Sequence, residues 1–351
     1  MNDFVLYGAY GYTGRLITER AAAYGLRPLL CGRNEEKLKP LAAEKGLDYR
    51  AVSLSDTSAL EALLADYPLV LHAAGPFSQT AAPMLAACLA TGTHYLDITG
   101  EIDVFAHAAS LSNAFAEAGL MAMPGVGFDV VPTDCIAAFC HQQLPDATEL
   151  VLAFAWKGGS ISHGTAQTML ESLGHPGKVR RNGEIQDVPG AYKTETFPFT
   201  KEDELRAVTI PWGDVFTAYH TTGIPNVETY FAVPTSQIQL MKMGNYLGPL
   251  LRSSFVKNFL KKRVADRPAG PGSERRERAE SYVYGRATNA KGETFAARLR
   301  TIEGYTLTAE TALMITKRVL DGDLQPGYQT PAGCYGADLI LKVEGTTREV
   351  L

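Results

Sequence analysis

Cysteine is scarce and unpaired in this chain: five residues stand singly at 31, 88, 135, 140 and 334, with no Cys-x-x-Cys pair and no cysteine/histidine cluster at zinc spacing. Neither a disulfide framework nor a structural zinc site is expected, no metal is assigned, and a reducing, cytoplasmic setting fits. An excess of positive charge is also missing. Lys and Arg number 33 against 38 Asp and Glu, a formal charge of -5, so no basic field gathers nucleic acid and no such partner is expected. No basic, apolar and small-residue leader precedes the first apolar run at Phe4, which argues against a secretory signal. Between Leu69 and Leu96 charge is absent altogether, but Gly75-Pro76, the polar run Ser78 to Thr80 and Pro83 interrupt the stretch. It therefore reads as buried strand, turn and short helix rather than a membrane span. No internal repeat is visible.

What is present is a regular alternation. Short runs rich in Val, Leu and aromatics at 4–9, 27–32, 49–54, 68–74, 94–98 and 120–124 alternate with helix-like segments at 13–24, 35–45, 57–65, 79–91 and 101–118. This is the pattern of an α/β fold with a doubly wound, Rossmann-type parallel sheet. Strands apolar on consecutive residues, such as "PLVLHAAG", suit a sheet covered on both faces. After Pro132 the pattern changes. "ATELVLAFAWKGG", "RAVTIPW", "VETYFAVP" and "SYVYGRATNAKGETFAARLRTI" read as strands of a mixed or antiparallel sheet, the last two joined by a hairpin at Asn289 to Gly292. Helix-like pieces at 163–173, 236–247 and 253–264 fall between them, and 306–322 makes a final amphipathic helix. The stretch 265–281, rich in Pro, Gly and charge, reads as a loop. The division expected is a dinucleotide-binding domain at 1–132, an α+β substrate and dimerisation domain at 133–305, and a C-terminal helical segment, 306–351, packing back on the first.

The sharpest local signal is "LYGAYGYTGRL", where Gly8, Gly11 and Gly14 follow an apolar strand and precede a helix. A strand, a glycine-rich turn and a helix start bring backbone N–H groups and the positive end of a helix dipole to one point, which suits a pyrophosphate. Gly8 would permit the tight turn, Gly11 the approach of the phosphates, and Gly14 the close packing of helix on strand. Tyr10, Tyr12 and Thr13 lie within the same turn. At the end of the second strand, Gly32-Arg33-Asn34 offers a guanidinium and no acid before Glu35, which favours the 2'-phosphate of NADP(H). The fourth strand ends in "HAAGPFSQT", placing Ala74, Gly75, Pro76 and Phe77 beside the ribose and nicotinamide, with Ser78 or Thr80 as a helix cap.

Hydride chemistry needs a proton donor beside the nicotinamide. Asp97 and Glu101 at the end of the fifth strand are the acids in reach, as catalytic groups or as groups that order the pocket, with a cap or charge at the start of the next helix as the alternative for Glu101. Asp129 in "GFDVVPTD" lies on a loop entering the cleft and is a candidate for substrate contact, whereas Thr133 or Asp134 reads as a helix cap. His163 precedes a helix start where Ser160 and Thr165 also lie, and is either a proton donor or a capping residue. Tyr305 faces the cleft or the core; His72, within an apolar strand, reads as a buried histidine with a hydrogen-bond partner. Residues 238–264 mix Leu, Met and Phe with Lys and Arg and no acid, as a basic helix on a membrane surface does, or as a helix pair with a solvated face does.

Five segments in order, GAYGYTG, AAGPF, "AACLATGTHYLDITGE", "PGVGFDVVPTD" and "GTAQTMLESL", resemble the saccharopine dehydrogenase/reductase-like oxidoreductases. The later "GPGSERRERAES" and "RTIEGYTLTAETALMITKRVL...GYQTPAGCYGADLIL" are similar to the branch described as trans-acting enoyl reductases. The resemblance covers nearly the whole chain. It implies an NADP-binding Rossmann domain, an inserted domain with a mixed sheet, a returning C-terminal helix, and a homodimer. The expectation is an NADP(H)-dependent oxidoreductase acting on an enoyl, carbonyl or imine group of a small molecule, which can be hydrophobic or carrier-bound. An amino-acid imine dehydrogenase and a non-catalytic NADP-binding sensor are the alternatives. Between 151 and 250 the only arginines are Arg180, Arg181 and Arg206, few for a substrate with three carboxylates.

Overall fold

The computed structural model describes residues 3–159, 161–172, 174–245, 253 and 270–351. By its contacts the chain divides into two compact units, Met1–Val131 with Tyr305–Cys334, and Pro132–Gly304 with Tyr335–Leu351.

The first unit begins with β1 (Phe4–Tyr7), α1 (Tyr12–Arg20), β2 (Pro28–Gly32), α2 (Glu35–Lys45), β3 (Tyr49–Ala51), α3 (Thr57–Leu64) and β4 (Leu69–His72). It continues with α4 (Phe77–Thr91), β5 (His94–Asp97), α5 (Ile102–Ser110), α6 (Ser112–Glu117) and β6 (Met121–Met123). Every residue of β1, β2, β4 and β6 is buried, the condition of strands sandwiched between helical layers. Helices start where side chains replace missing backbone partners. Asn34 Oδ1 accepts from the Lys37 amide, and Asp56 Oδ1 from that of Ala59, both at 3.0 Å.

The second unit opens with α7 (Val131–Gln143), whose first residue still belongs to the first, followed by β7 (Ala147–Lys157), α8 (His163–Ser172), β8 (Gly177–Arg181), β9 (Glu184–Val188), β10 (Thr194–Pro198) and β11 (Glu204–Thr209). Then come α9 (Asp214–Thr222), β12 (Asn226–Ala232), α10 (Thr235–Gly244), α11 (Ser273–Arg278), β13 (Glu280–Asn289) and β14 (Thr294–Ile302). The chain next returns to the first unit as α12 (Gly304–Leu320), β15 (Gly327–Tyr328) and α13 (Pro331–Tyr335). It ends in the second with β16 (Thr347–Val350).

The first sheet has the order β15-β6-β5-β4-β1-β2-β3 with every pairing parallel. Strand order reverses between β1 and β4, the place where doubly wound sheets open a crevice for ligand. Helix α12 is tied to this unit. Arg20 Nε and Tyr24 Oη of the first helix region both donate to Glu310, at 3.0 and 2.6 Å, and Thr311 Oγ1 donates to the Val126 carbonyl at 2.8 Å.

The second sheet runs β10-β11-β12-β7-β13-β14-β16, with β8 and β9 branching from β12. Only β12 and β7 pair in parallel; the rest is antiparallel. One face buries Ala153, Ala155, Phe197, Phe199, Ala207, Tyr230, Tyr282 and Tyr284 together. On the other, α7 lies so close that a Cβ at Gly285 would sit 3.1 Å from Ile136 and 3.2 Å from Cys140 Sγ.

Two expectations are corrected. The tail 306–351 does not pack on the first unit as one helical segment: residues 335–351 join the second, where β16 pairs with β14. Thr133 and Asp134 do not cap a helix; α7 already begins at Val131, and both are buried within it. Thr133 Oγ1 donates to Asp214 Oδ1 at 2.6 Å, and Asp134 Oδ1 accepts from Thr221 Oγ1 at 2.5 Å, binding α7 to α9. The expected helix at 253–264, residues 265–269 of the loop and most of the basic amphipathic stretch after Asn245 lie outside the described residues. Among the described residues no helix is long and apolar enough to cross a membrane.

Candidate cofactor and active site

The carboxyl ends of β1, β2, β4, β5 and β6 carry the glycine turn, Arg33, the Ala74–Phe77 loop, Asp97, Glu101 and Asp129. After β1 the chain turns at Gly8, whose φ of +92° disfavours any residue with a side chain. A Cβ there would also meet the Ala73 carbonyl carbon at 2.7 Å and the Ala74 nitrogen at 2.8 Å. At Gly14 a Cβ would overlap the Gly8 carbonyl oxygen and stand 2.9 Å from Ala9 Cα, so only glycine lets α1 approach β1 this closely. Gly11 differs, for the only atom a Cβ would meet within 4 Å is the Gly8 oxygen, at 3.1 Å; its outer side is open. Gly11 is the N-cap residue of α1, no side chain caps the helix, and its first turn, which includes Tyr12, Thr13 and Gly14, contains no acid. An uncapped helix start beside an open glycine is a cradle that a pyrophosphate fits.

Arg33 follows β2, is exposed, and forms no ion pair among the described residues. Asn34 spends its side-chain oxygen on the cap of α2. The first acid after the strand, Glu35, accepts a hydrogen bond from Tyr49 Oη at 3.2 Å. The half-buried Tyr10 ring packs on the β2 backbone, where a Cβ at Gly32 would meet it at 2.7 Å, and Lys37 Nζ stands 5.7 Å from its centre.

The loop after β4 runs Ala73, Ala74, exposed Gly75, Pro76 and Phe77, with a cis peptide at Gly75-Pro76. It is held from two sides. Thr80 Oγ1 donates to the Ala74 carbonyl at 2.8 Å and stands 3.0 Å from His72 Nε2. With that hydroxyl proton committed to Ala74, the histidine donates from Nε2. His72 is fully buried, and burial holds its pKa down to about 3, so it is neutral. On the opposite side, Glu101 accepts the backbone N–H groups of Phe77 on Oε1 and Ser78 on Oε2, both at 2.8 Å. The helix capped is therefore α4, and the residue that caps it lies at the start of α5.

Asp97, at the end of β5, is fully buried. It receives Tyr95 Oη at 2.6 Å and the amides of Thr99 and Gly125 at 2.9 Å each. Burial pushes its pKa up to about 6, against these three donors. Its donors join the loops after β5 and β6, so Asp97 orders the site.

Asp129, in the turn after β6, is half-buried and lies against Gly100, where a Cβ would come within 2.9 Å of its Oδ2. Burial, reinforced by the negative charge of Glu101, pushes its pKa up to about 7. A carboxylic acid protonated near neutrality at the end of a parallel strand is suited to giving up a proton. Helix α12 holds this turn: Thr308 Oγ1 accepts from the Phe128 amide at 3.0 Å, and Tyr305 sets its ring edge-on to Tyr12 with centres 5.1 Å apart. His163 is the first residue of α8 in the second unit, half-buried; Ser160 lies outside the described residues.

The sequence pointed to these segments and not to the ties that hold them. The Tyr95, Glu101 and Thr308 contacts join different elements and leave no trace in spacing. Only the Ser/Thr/Glu content of these segments signals groups able to make them.

Comparison with known proteins agrees with the geometry. Residues 4–123 match the family model described as the saccharopine dehydrogenase NADP binding domain. The chain is similar to the trans-acting enoyl reductase of Mycobacterium leprae, 31% identical over 196 residues, which cover 51% of this chain and 47% of that protein. It thus spans about half the length of the relative it matches. Among solved structures, apo saccharopine dehydrogenase (L-Glu forming) of Saccharomyces cerevisiae superimposes with a TM-score of 0.69 at 14% identity, covering 100% of each chain. The homospermidine synthase of Legionella pneumophila in complex with NAD does so with a TM-score of 0.65 at 8% identity, covering 100% of this chain and 91% of that one. These two likenesses concern the fold. With its β1 turn, open helix start and parallel sheet, the segment 4–123 is similar to the saccharopine dehydrogenase NADP binding domain.

Proposed function

We propose that this protein is an NADP(H)-dependent oxidoreductase that reduces the enoyl group of an acyl substrate. The observation that carries the cofactor reading is the open, uncapped start of α1 behind Gly8, Gly11 and Gly14. NADPH, when bound, supplies the hydride. The N–H groups of the α1 first turn hold the pyrophosphate, and Arg33, unpaired and exposed, takes the 2'-phosphate. Ala74 to Phe77 line the nicotinamide end, and Asp129 holds the proton that the reduced carbon must receive.

The enoyl reading is supported by the likeness to a trans-acting enoyl reductase and by the state of the arginines between 151 and 250. Arg180 is buried over the Tyr219 ring and donates to the Val215 carbonyl at 2.6 Å; Arg181 is paired with Glu228; Arg206 is exposed and bonded to Thr194 Oγ1 at 3.4 Å. Arg180 and Arg181 are thus engaged internally, which weighs against a substrate with several carboxylates.

The test is a fluorescence titration of the full chain with NADPH and NADH beside Arg33→Ala, followed by NADPH oxidation with enoyl, keto and imine compounds. Tighter NADPH binding that the variant loses, with turnover of an enoyl thioester, is the expected result. Tight binding without turnover of any compound identifies a binding module, and absence of binding overturns the cofactor reading.

A further inference from the structure

We propose that Glu101 is the positioning residue for the nicotinamide half of the bound dinucleotide, acting through the loop Ala74–Phe77; the inference rests on the cofactor reading above. Of the helices that start at this end of the sheet, α1 and α4 flank the crossover between β1 and β4. The first has no side-chain cap, the kind of helix start that suits an anion. The second is closed by a carboxylate from 24 residues downstream, which takes the Phe77 and Ser78 amides on its two oxygens. A bidentate carboxylate on a helix N-terminus answers both the unmade hydrogen bonds and the helix dipole, so the α4 end is fixed and withdrawn from phosphate binding.

The arm that delivers Glu101 is rigid. Its own amide donates to Thr99 Oγ1 at 3.0 Å, and the Thr99 amide donates to the buried Asp97 at 2.9 Å. No Lys or Arg occurs between Arg50 and Lys157, and Glu101 forms no ion pair among the described residues. The charge of Glu101 is therefore answered by the α4 amides, and no side-chain cation substitutes for that bond. Phe77 and Ser78 directly follow Gly75 and Pro76, so releasing Glu101 frees the segment facing the nicotinamide. The β1 turn and Arg33, which face the other half of the dinucleotide, keep their own supports.

That asymmetry supplies the test. NADPH and 2',5'-ADP, which lacks the nicotinamide half, are titrated calorimetrically into the full chain and into Glu101→Ala and Glu101→Asp. The expected result is an NADPH affinity weakened about tenfold in Glu101→Ala, the scale of one lost helix cap. The 2',5'-ADP affinity should stay within about twofold, and Glu101→Asp should recover part of the loss. Should Glu101→Ala fail to fold, Glu101→Gln keeps the shape and one acceptor and carries the same comparison. Unchanged NADPH affinity, or equal weakening of both ligands, overturns the proposal. If the unaltered chain binds neither ligand, it is the cofactor reading that falls, and this inference with it.

Discussion

Thr308 accepts a hydrogen bond from the backbone amide of Phe128, 180 positions earlier in the chain, at 3.0 Å. The methyl group of the same threonine packs where a Cβ at Gly127 would come within 2.7 Å. One side chain thus fixes the turn that presents Asp129. Replacing it with valine keeps the shape and leaves a buried amide without its acceptor. Thr308→Val should lower stability by about 1–2 kcal/mol in urea unfolding. Enoyl reduction should fall more than NADPH affinity, because the disturbed turn carries the proposed proton donor, Asp129.

Gly14→Ala tests the packing of α1 on β1. The added methyl has no space, since the Gly8 carbonyl and Ala9 backbone occupy it and neither can swing away as a side chain would. The helix start must shift. NADPH titration should show loss of measurable binding in this variant, whereas Gly25→Ala, at a turn of φ +68° with nothing within 4 Å, should cost some stability and leave binding intact.

Asp129 makes stability depend on pH in a calculable direction. Its folded pKa of about 7 lies above the ordinary 3.8, so the fold favours the protonated form. The stabilisation is full below about pH 4 and is lost as pH rises through about 7. Asn cannot ionise and does not suffer the loss. In thermal melts from about pH 4 to about pH 8, Asp129→Asn should gain on the unaltered protein as pH rises. Reduction by the unaltered protein should decline through the same window, and the variant should be inactive throughout.

Tyr95→Phe removes one of the three donors to Asp97. The buried carboxyl is then less able to ionise, and its pKa should move further above about 6. The cost, about 1–3 kcal/mol, applies to the ionised form; the difference in unfolding free energy should be larger at about pH 8 than at about pH 5.

The first sheet was legible because strands buried on both faces are apolar without interruption and glycine ends several of the helices between them. β15 was not, since two residues, Gly327 and Tyr328, make no pattern. Helix α9 was equally silent: Thr217, Thr221 and Thr222 lower its helical preference, and it is held by Asp214 and Thr221 bonding to α7. The glycine turn and the exposed Arg33 were legible because backbone geometry and charge are local properties. The partner of Glu101 was hidden for the opposite reason. A cap is sought in the residues just before a helix, and here those are Gly75 and Pro76, while the carboxylate arrives from the next strand's loop.

The route of the chain through its two units bears on the order in which they are made. The first unit takes α12 and the edge strand β15 from residues 305–334, after the sequence of the second unit's first eight strands has passed. On a ribosome, Arg20 and Tyr24 wait for Glu310, and the turn at Phe128 waits for Thr308, until the segment 305–334 has emerged. Although domains generally fold in the order of their synthesis, the unit that starts first here is completed late, and a nascent chain halted before residue 305 should lack the means to hold Asp129 in place.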